Sequence, residues 1–258
     1  MFFYLLRINS HLAENLKVIP VIDILNGKVV YAIKGKRSEY KPLQSILTDA
    51  TEPLLVAKAF KNLGFTELYI ADLDAIIDCS SNFAPLKQIA DETGLALIVD
   101  AGITSLERAK TLLNNGVSQV IIGTETLQNK SFVAEAVETL GGKRVIVSLD
   151  LKGMNVLVKF GFSGCVDPMC LLRDFRAAGV SEVIILDLSR VGSGEGVNVD
   201  FLRKALGQGG MNIYAGGGVR NISDLIELAD LGVSGVLVAT ALHTGKITVE
   251  QLKEAKLL

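Results

Sequence analysis

Short apolar runs recur along the chain, each stopping at a carboxylate or a small residue, with amphipathic segments between them. The first clear run is Val18-Ile19-Pro20-Val21-Ile22, which ends at Asp23 and precedes the turn pair Asn26-Gly27. An uninterrupted apolar run of this length, bounded by a turn signal, predicts a strand buried on both faces. Such strands belong to parallel sheets whose two faces are covered by helices. With 18–23, similar runs at 67–72, 95–100, 119–123, 144–150, 182–187, 211–215 and 235–239 make eight predicted strands. Between them, segments such as 53–63, 82–93, 105–115, 168–178 and 223–231 repeat apolar residues at the helical period. Leu63-Gly64 and Asn115-Gly116 end two of these as C-caps. Strands alternating with helices predict an α/β fold, either a closed barrel or a doubly wound sheet.

An internal repeat separates the two. Phe60, Gly64, Glu67, Ile70, Asp72 and Leu73 recur as Phe175, Gly179, Glu182, Ile185, Asp187 and Leu188, all at an offset of 115. At an offset of 116, Gly102-Ile103 meets Gly218-Val219 and Thr124 meets Thr240; at 127, Asp23 meets Asp150. Two halves of four strand–helix units each close into one ring of eight strands, which a doubly wound sheet does not require. The expectation is a single (β/α)8 TIM barrel over residues 18–258, built from two half-barrel repeats. Residues 1–17 read as an N-terminal extension packed on it, or as a consequence of where translation is taken to start.

Size and composition agree. The chain has 258 residues, 49% hydrophobic and 21% charged, and barrels of this kind take about 250 residues. A formal charge of −2 leaves no basic excess to argue for nucleic acid. The opening run Met1-Phe2-Phe3-Tyr4-Leu5-Leu6 meets Arg7 too early to span a membrane and lacks a basic start, so neither membrane nor signal peptide is expected. Cys79, Cys165 and Cys170 are odd in number and irregularly spaced, which points to reduced thiols in a cytoplasmic protein. Their spacing, with His11 and His243 far apart, argues against a metal site. No cofactor and no oligomeric state are predicted.

In a barrel of this type substrates bind at the C-terminal ends of the strands. Asp23 and Asp150 end the first strand of each half, which sets them across one mouth. Two carboxylates facing each other can divide acid and base work when their surroundings separate their pKa values. Asp72, Asp74 and Asp187 end the second strand of each half and Asp100 the third, so several carboxylates are expected to converge there. Gly216-Gly217-Gly218 leaves the seventh strand and Ala239-Thr240 the eighth, the usual phosphate position of this fold. Glycine lets backbone N–H groups approach an anion closely. The equivalent place in the first half holds Asp100-Ala101-Gly102 and Gly123-Thr124. Gly123-Thr124 suits an anion, whereas Asp100 repels one unless a cation intervenes.

Ile19-Pro20-Val21-Ile22-Asp23, Ile70-Ala71-Asp72-Leu73-Asp74, Asp187-Leu188-Ser189-Arg190 and Ala215-Gly216-Gly217-Gly218-Val219 resemble the histidine-biosynthesis barrels over about residues 18–255. The likeness is first to the isomerase acting on the aminoimidazole carboxamide ribonucleotide ProFAR, then to the imidazole-glycerol-phosphate synthase cyclase. It implies an Amadori rearrangement of an aminoaldose to an aminoketose, with Asp23 and Asp150 as the acid–base pair in unassigned order. It implies a phosphorylated sugar substrate, contacts from Asp72, Asp74, Asp187 and Ser189, and Phe162 either stacking on the substrate's base or anchoring its loop. The departures are specific. The family's third-strand glycine triplet reads Asp100-Ala101-Gly102 here, and Leu186 replaces a threonine. Val191-Gly192-Ser193 replaces Asp-Gly-Thr, and Ala239-Thr240 replaces Gly-Arg or Gly-Ser. The pattern resembles a divergent isomerase, similar to isomerase-related proteins of methanogens and methylotrophs. One phosphate cradle is kept, and Asp100 is expected to meet a hydroxyl or amine where a second phosphate would lie. A lyase or cyclase acting on a singly phosphorylated substrate, and a non-catalytic phosphate-binding barrel, are the alternative readings.

Overall fold

The computed structural model of the chain describes residues 16–78 and 82–258. Most of the expected N-terminal extension, and Cys79, lie outside the described residues. In chain order the strands are β1 (Lys17–Leu25), β2 (Lys28–Tyr31), β3 (Lys41–Pro42), β4 (Glu67–Asp72), β5 (Ala96–Asp100), β6 (Gln119–Gly123), β7 (Val145–Lys152), β8 (Asn155–Val156), β9 (Glu182–Asp187), β10 (Asn212–Gly216) and β11 (Gly235–Val238). The helices are α1 (Pro53–Leu63), α2 (Leu73–Asp78), α3 (Phe83–Thr93), α4 (Leu106–Asn114), α5 (Ser131–Leu140), α6 (Pro168–Ala177), α7 (Val199–Leu206), α8 (Ile222–Leu231), α9 (Thr240–His243) and α10 (Val249–Glu254).

Eight strands pair in parallel in the order β1, β4, β5, β6, β7, β9, β10, β11, and β11 returns to β1 to close the ring. These are the eight apolar runs of the sequence, displaced by at most two residues at their ends. Closure leaves no unpaired edge in the barrel wall. The short remaining strands are arms on its C-terminal rim. β1 continues into an antiparallel hairpin with β2, with Leu25 opposite Lys28. Asn26 and Gly27 both take positive φ, as a two-residue hairpin turn matched to strand twist requires. β8 pairs with the end of β7 in the same manner.

Two apolar clusters fill the molecule. The larger lies between the barrel wall and the helices, with Phe60, Leu68, Leu97, Val147, Phe175 and Val236 among its buried members. The smaller lies inside the barrel, where Ile19, Tyr69, Ile98, Ile121, Ile146, Ile184 and Tyr214 from successive strands interlock. Side chains from alternating strand positions make such an interior a packed plug rather than a pore. The plug closes the barrel beneath its C-terminal mouth, so polar groups one step further along each strand stand on a rigid floor. Among the described residues no helix is long and apolar enough to cross a membrane.

Candidate functional site

The mouth above that plug holds a cavity of about 220 Å³. Strand parity decides which side chains reach it. Register places Asp23 beside Ala71 and Ala71 beside Asp100, so these three share one inward-facing row across β1, β4 and β5. Asp150 likewise pairs with Leu186, and Leu186 with Gly216. Side chains alternate between faces of a strand, so Asp23, Asp100 and Asp150 face inward while the neighbouring Asp72 and Asp187 face out.

The three inward carboxylates differ in how they are held. Asp150 is fixed from several sides: Ser148 Oγ donates to Oδ1 at 2.6 Å and the Glu125 N–H to Oδ2 at 3.1 Å. Thr124 Oγ1 lies 3.5 Å from the same Oδ2 and accepts from the Asp150 N–H at 3.0 Å. Asp100 receives one bond, from the Gly102 N–H to Oδ1 at 3.1 Å. Asp23 lines the cavity and accepts no hydrogen bond among the described residues. A side chain begun at Gly123 would meet Asp150 Oδ2 at 3.0 Å and Asp100 Oδ2 at 3.6 Å, so these two carboxylates share the space that this glycine leaves open.

Burial raises all three pKa values by penalising the charged form. Asp23 is pushed up to about 7 by burial, against the opposing pull of the Arg37 charge. Asp100 is pushed to about 7 by burial and then by the Asp150 charge. Asp150 reaches about 6, because the Ser148 and Glu125 hydrogen bonds offset part of the burial effect. Carboxyl groups poised near neutrality can both give and take protons, which ordinary surface carboxylates cannot do at that pH.

Residues that the sequence reading did not single out complete the mouth. Arg37, in the turn Arg37–Glu39, bridges to Glu125 with Nη2 2.7 Å from Oε2, and both groups line the cavity. Tyr40 stands beside them, its phenol raised to about 12 by burial and then by the Asp23 charge. Their clue was position: Arg37 lies in the long segment between Asn26-Gly27 and Pro53, and Glu125 follows Gly123-Thr124 directly. His243 also lines the cavity, but burial lowers its pKa to about 4 and its Nδ1 meets Ser45 Oγ at 2.9 Å. It is a neutral tie between the rim and the barrel.

On the opposite side, Gly217, Gly218, Ala239 and Thr240 line the cavity. Gly217 has φ of +92°, and a Cβ there would sit 2.5 Å from the Asp187 carbonyl oxygen, so the turn requires glycine. Gly216 lies just behind, with Leu186 and Leu237 against it. Thr240 lines the cavity, and its hydroxyl makes no hydrogen bond to protein among the described residues.

The expected convergence of carboxylates is smaller than the sequence suggested. Asp72 turns outward and accepts from the Ala75 N–H at 3.1 Å and from Asn82 Nδ2 at 2.6 Å. Asp74 accepts from the Asn26 and Gly27 N–H groups at 2.7 and 3.2 Å, tying α2 to the β1–β2 turn. Asp187 accepts from Ser189 Oγ at 2.6 Å and pairs with Arg190 at 3.2 Å, which engages Ser189 as well. Phe162 packs against the outer core and does not line the cavity. Gly102 is hemmed in, since a Cβ there would lie 3.0 Å from Ile76 Cα, and its N–H serves Asp100. Thr124 is buried and bonded to Asp150. Gly102 and Thr124 thus bond Asp100 and Asp150, and Gly123 borders both carboxylates. Among the described residues no cluster of His, Cys, Asp and Glu is arranged to hold a metal ion.

Residues 17–248 match the family described as "Histidine biosynthesis protein". An uncharacterized protein of Methanocaldococcus jannaschii is 37% identical over 240 residues, covering 92% of this chain and 97% of that one. The 1-(5-phosphoribosyl)-5-((5-phosphoribosylamino)methylideneamino) imidazole-4-carboxamide isomerase of Streptococcus sanguinis is 31% identical over 245 residues, 94% of this chain and 99% of its own. The isomerase of the same name from Methanosarcina acetivorans is 32% identical over 239 residues, 91% and 95% of the two chains.

Proposed function

Because the chain belongs to the histidine biosynthesis protein family, we propose that it is an aldose–ketose isomerase acting on a phosphorylated ribosyl amine, with Asp23 and Asp150 as its acid–base pair. One observation carries this reading. Two carboxyl groups with pKa values near neutrality, Asp23 at about 7 and Asp150 at about 6, project from different strands into one cavity.

The chemistry needs such a pair. One carboxylic acid protonates the furanose ring oxygen of the aminoaldose, and the C1–O bond breaks to give an open-chain iminium. The other, ionised, removes the proton from C2, and the C2–H electrons form the enol-amine. Reprotonation at C1 and loss of the C2 hydroxyl proton give the aminoketose, with no net change in atoms or electrons. Asp150 is the more rigidly held of the two, and Asp23 is free to meet a substrate. Gly217, Gly218, Ala239 and Thr240 are assigned to the phosphate, since backbone N–H groups and an unused hydroxyl suit an anion. Two isomerase relatives carry two 5-phosphoribosyl groups in the name of their substrate.

The test is ketose formation by purified protein from that relatives' aminoaldose and from its counterparts lacking one phosphate. Turnover of at least one compound is expected. Asp23→Asn and Asp150→Asn should each lower kcat by about 10²- to 10⁴-fold, the usual worth of a positioned acid or base. No ketose from any compound, or full activity in both variants, overturns the assignment.

A further inference from the structure

The half-barrel repeat gives the molecule an internal comparison between two equivalent ends of one cavity. Asp100, Gly102, Gly123 and Thr124 occupy the places that Gly216, Gly218, Ala239 and Thr240 occupy in the second half, all at an offset of 116. The two ends are chemically opposite. At the second, Gly217, Gly218 and Thr240 line the cavity, and the Thr240 hydroxyl has no protein partner among the described residues. At the first, the Thr124 hydroxyl is committed to Asp150, with Oγ1 accepting from its N–H at 3.0 Å. The Gly102 N–H is committed to Asp100 Oδ1 at 3.1 Å, and the open side of Gly123 faces Asp150 and Asp100 oxygens. No donor remains there for an anion among these residues, and two carboxylates and Glu125 stand in its place.

Asp100 is itself the informative group. It is 9% exposed, lines the cavity, and only its Oδ1 accepts a hydrogen bond among the described residues. Oδ2 accepts no hydrogen bond among the described residues and borders the space that Gly123 leaves open in the cavity, so a donor on the ligand can reach it. Resting on the isomerase reading above, we infer that Asp100 sets substrate specificity. It binds a hydroxyl or amine at the β5–β6 end of the cavity and excludes a phosphate there, so that the substrate carries a single phosphate, held at the β10–β11 end. Arg37 does not reverse this, because its guanidinium is paired with Glu125 at 2.7 Å. The neighbouring β4 contributes Ala71 and Tyr69 to this wall, neither of which supplies positive charge.

Calorimetric binding to the full chain separates this from the catalytic claim, since it needs no turnover. The probes are the bis-phosphoribosyl aminoaldose of the relatives and the two compounds lacking one or the other phosphate. Wild-type protein is expected to bind one singly phosphorylated compound at least about tenfold more tightly than the doubly phosphorylated one, since like charges brought together at a binding surface are strongly disfavoured. Asp100→Asn, which keeps the shape and the Gly102 bond, should narrow that ratio, and Asp100→Gly should narrow it further. Thr240→Val should weaken both compounds together and leave the ratio unchanged. Circular dichroism of each variant confirms folding. Equal or tighter binding of the doubly phosphorylated compound by wild type overturns the inference, as does a ratio unmoved in both Asp100 variants or binding of no probe. Tight binding of one singly phosphorylated compound without ketose formation leaves the inference standing and removes the isomerase reading. Tight binding and turnover of the doubly phosphorylated compound does the reverse.

Discussion

At the scale of single residues, the site depends on how much each carboxylate is helped by its neighbours. Asp150 keeps the lower pKa of the inward three because Ser148 Oγ donates to it at 2.6 Å. Removing that donor leaves the burial penalty less opposed. Ser148→Ala should therefore raise the Asp150 pKa above its present value of about 6 and move the corresponding limb of the pH–rate profile upward. A limb that stays in place would show that Asp150 is not the group titrating there. Asp100 tests burial without catalysis. Its pKa in the folded chain, about 7, lies above the ordinary 3.8. A raised carboxyl pKa means the folded state holds the proton more tightly than the unfolded chain. The stability this gives is fully present below about pH 4 and is lost as pH rises through about 7. Asn cannot ionise, so Asp100→Asn should melt above wild type near about pH 8, by the order of a few kcal/mol in stability, with the gap closing near about pH 4. Thermal denaturation at the two pH values checks it, and a gap that widens toward acid would reverse the sign of the account.

At the scale of elements, the sequence told where strands end but not which way their last residues face. Strands buried on both sides are apolar at every position, so they lack the alternation that reveals parity. Asp72 and Asp187 repeat between the halves, and that recurrence suggested a shared role at the mouth. Their shared role is local: each turns outward and gathers backbone and side-chain donors at the start of the following loop. Ala71 and Leu186, which carry no chemical signal, hold the inward positions instead. Arg37 and Glu125 were equally silent, because each lies on a loop where charge is ordinary and only the closed fold brings them together. The outward role makes its own prediction. Asp72→Ala strips partners from the Ala75 N–H and Asn82 and should cost about 1–3 kcal/mol of stability. The isomerase rate at permissive temperature should be unchanged. Denaturant unfolding and kinetics on one preparation suffice, and a lost rate with intact stability would return Asp72 to the substrate.

At the scale of the whole molecule, the ring was legible because its cause is repetitive. Eight apolar runs at regular spacing, joined by helical segments and duplicated at a constant offset, leave few arrangements other than a closed parallel barrel. The inner plug of isoleucines and tyrosines then fixes the floor of the mouth, and the pairing of β11 with β1 brings Asp23 round to face Asp150. The two halves of the ring differ at their ends, one carrying glycines and Thr240, the other carboxylates. On the proposed reading, that asymmetry would orient a substrate across the mouth, with its phosphate at one side and its reacting carbons over Asp23 and Asp150. The most direct measurement is the rate of aminoaldose-to-aminoketose conversion from about pH 5 to about pH 9 for wild type, Asp23→Asn and Asp150→Asn. The account predicts a bell for wild type with limbs near the pKa values of about 6 and about 7, and a rate lowered by about 10²- to 10⁴-fold in both variants. A wild-type rate that is flat through this range, or one undiminished in both variants, would contradict it.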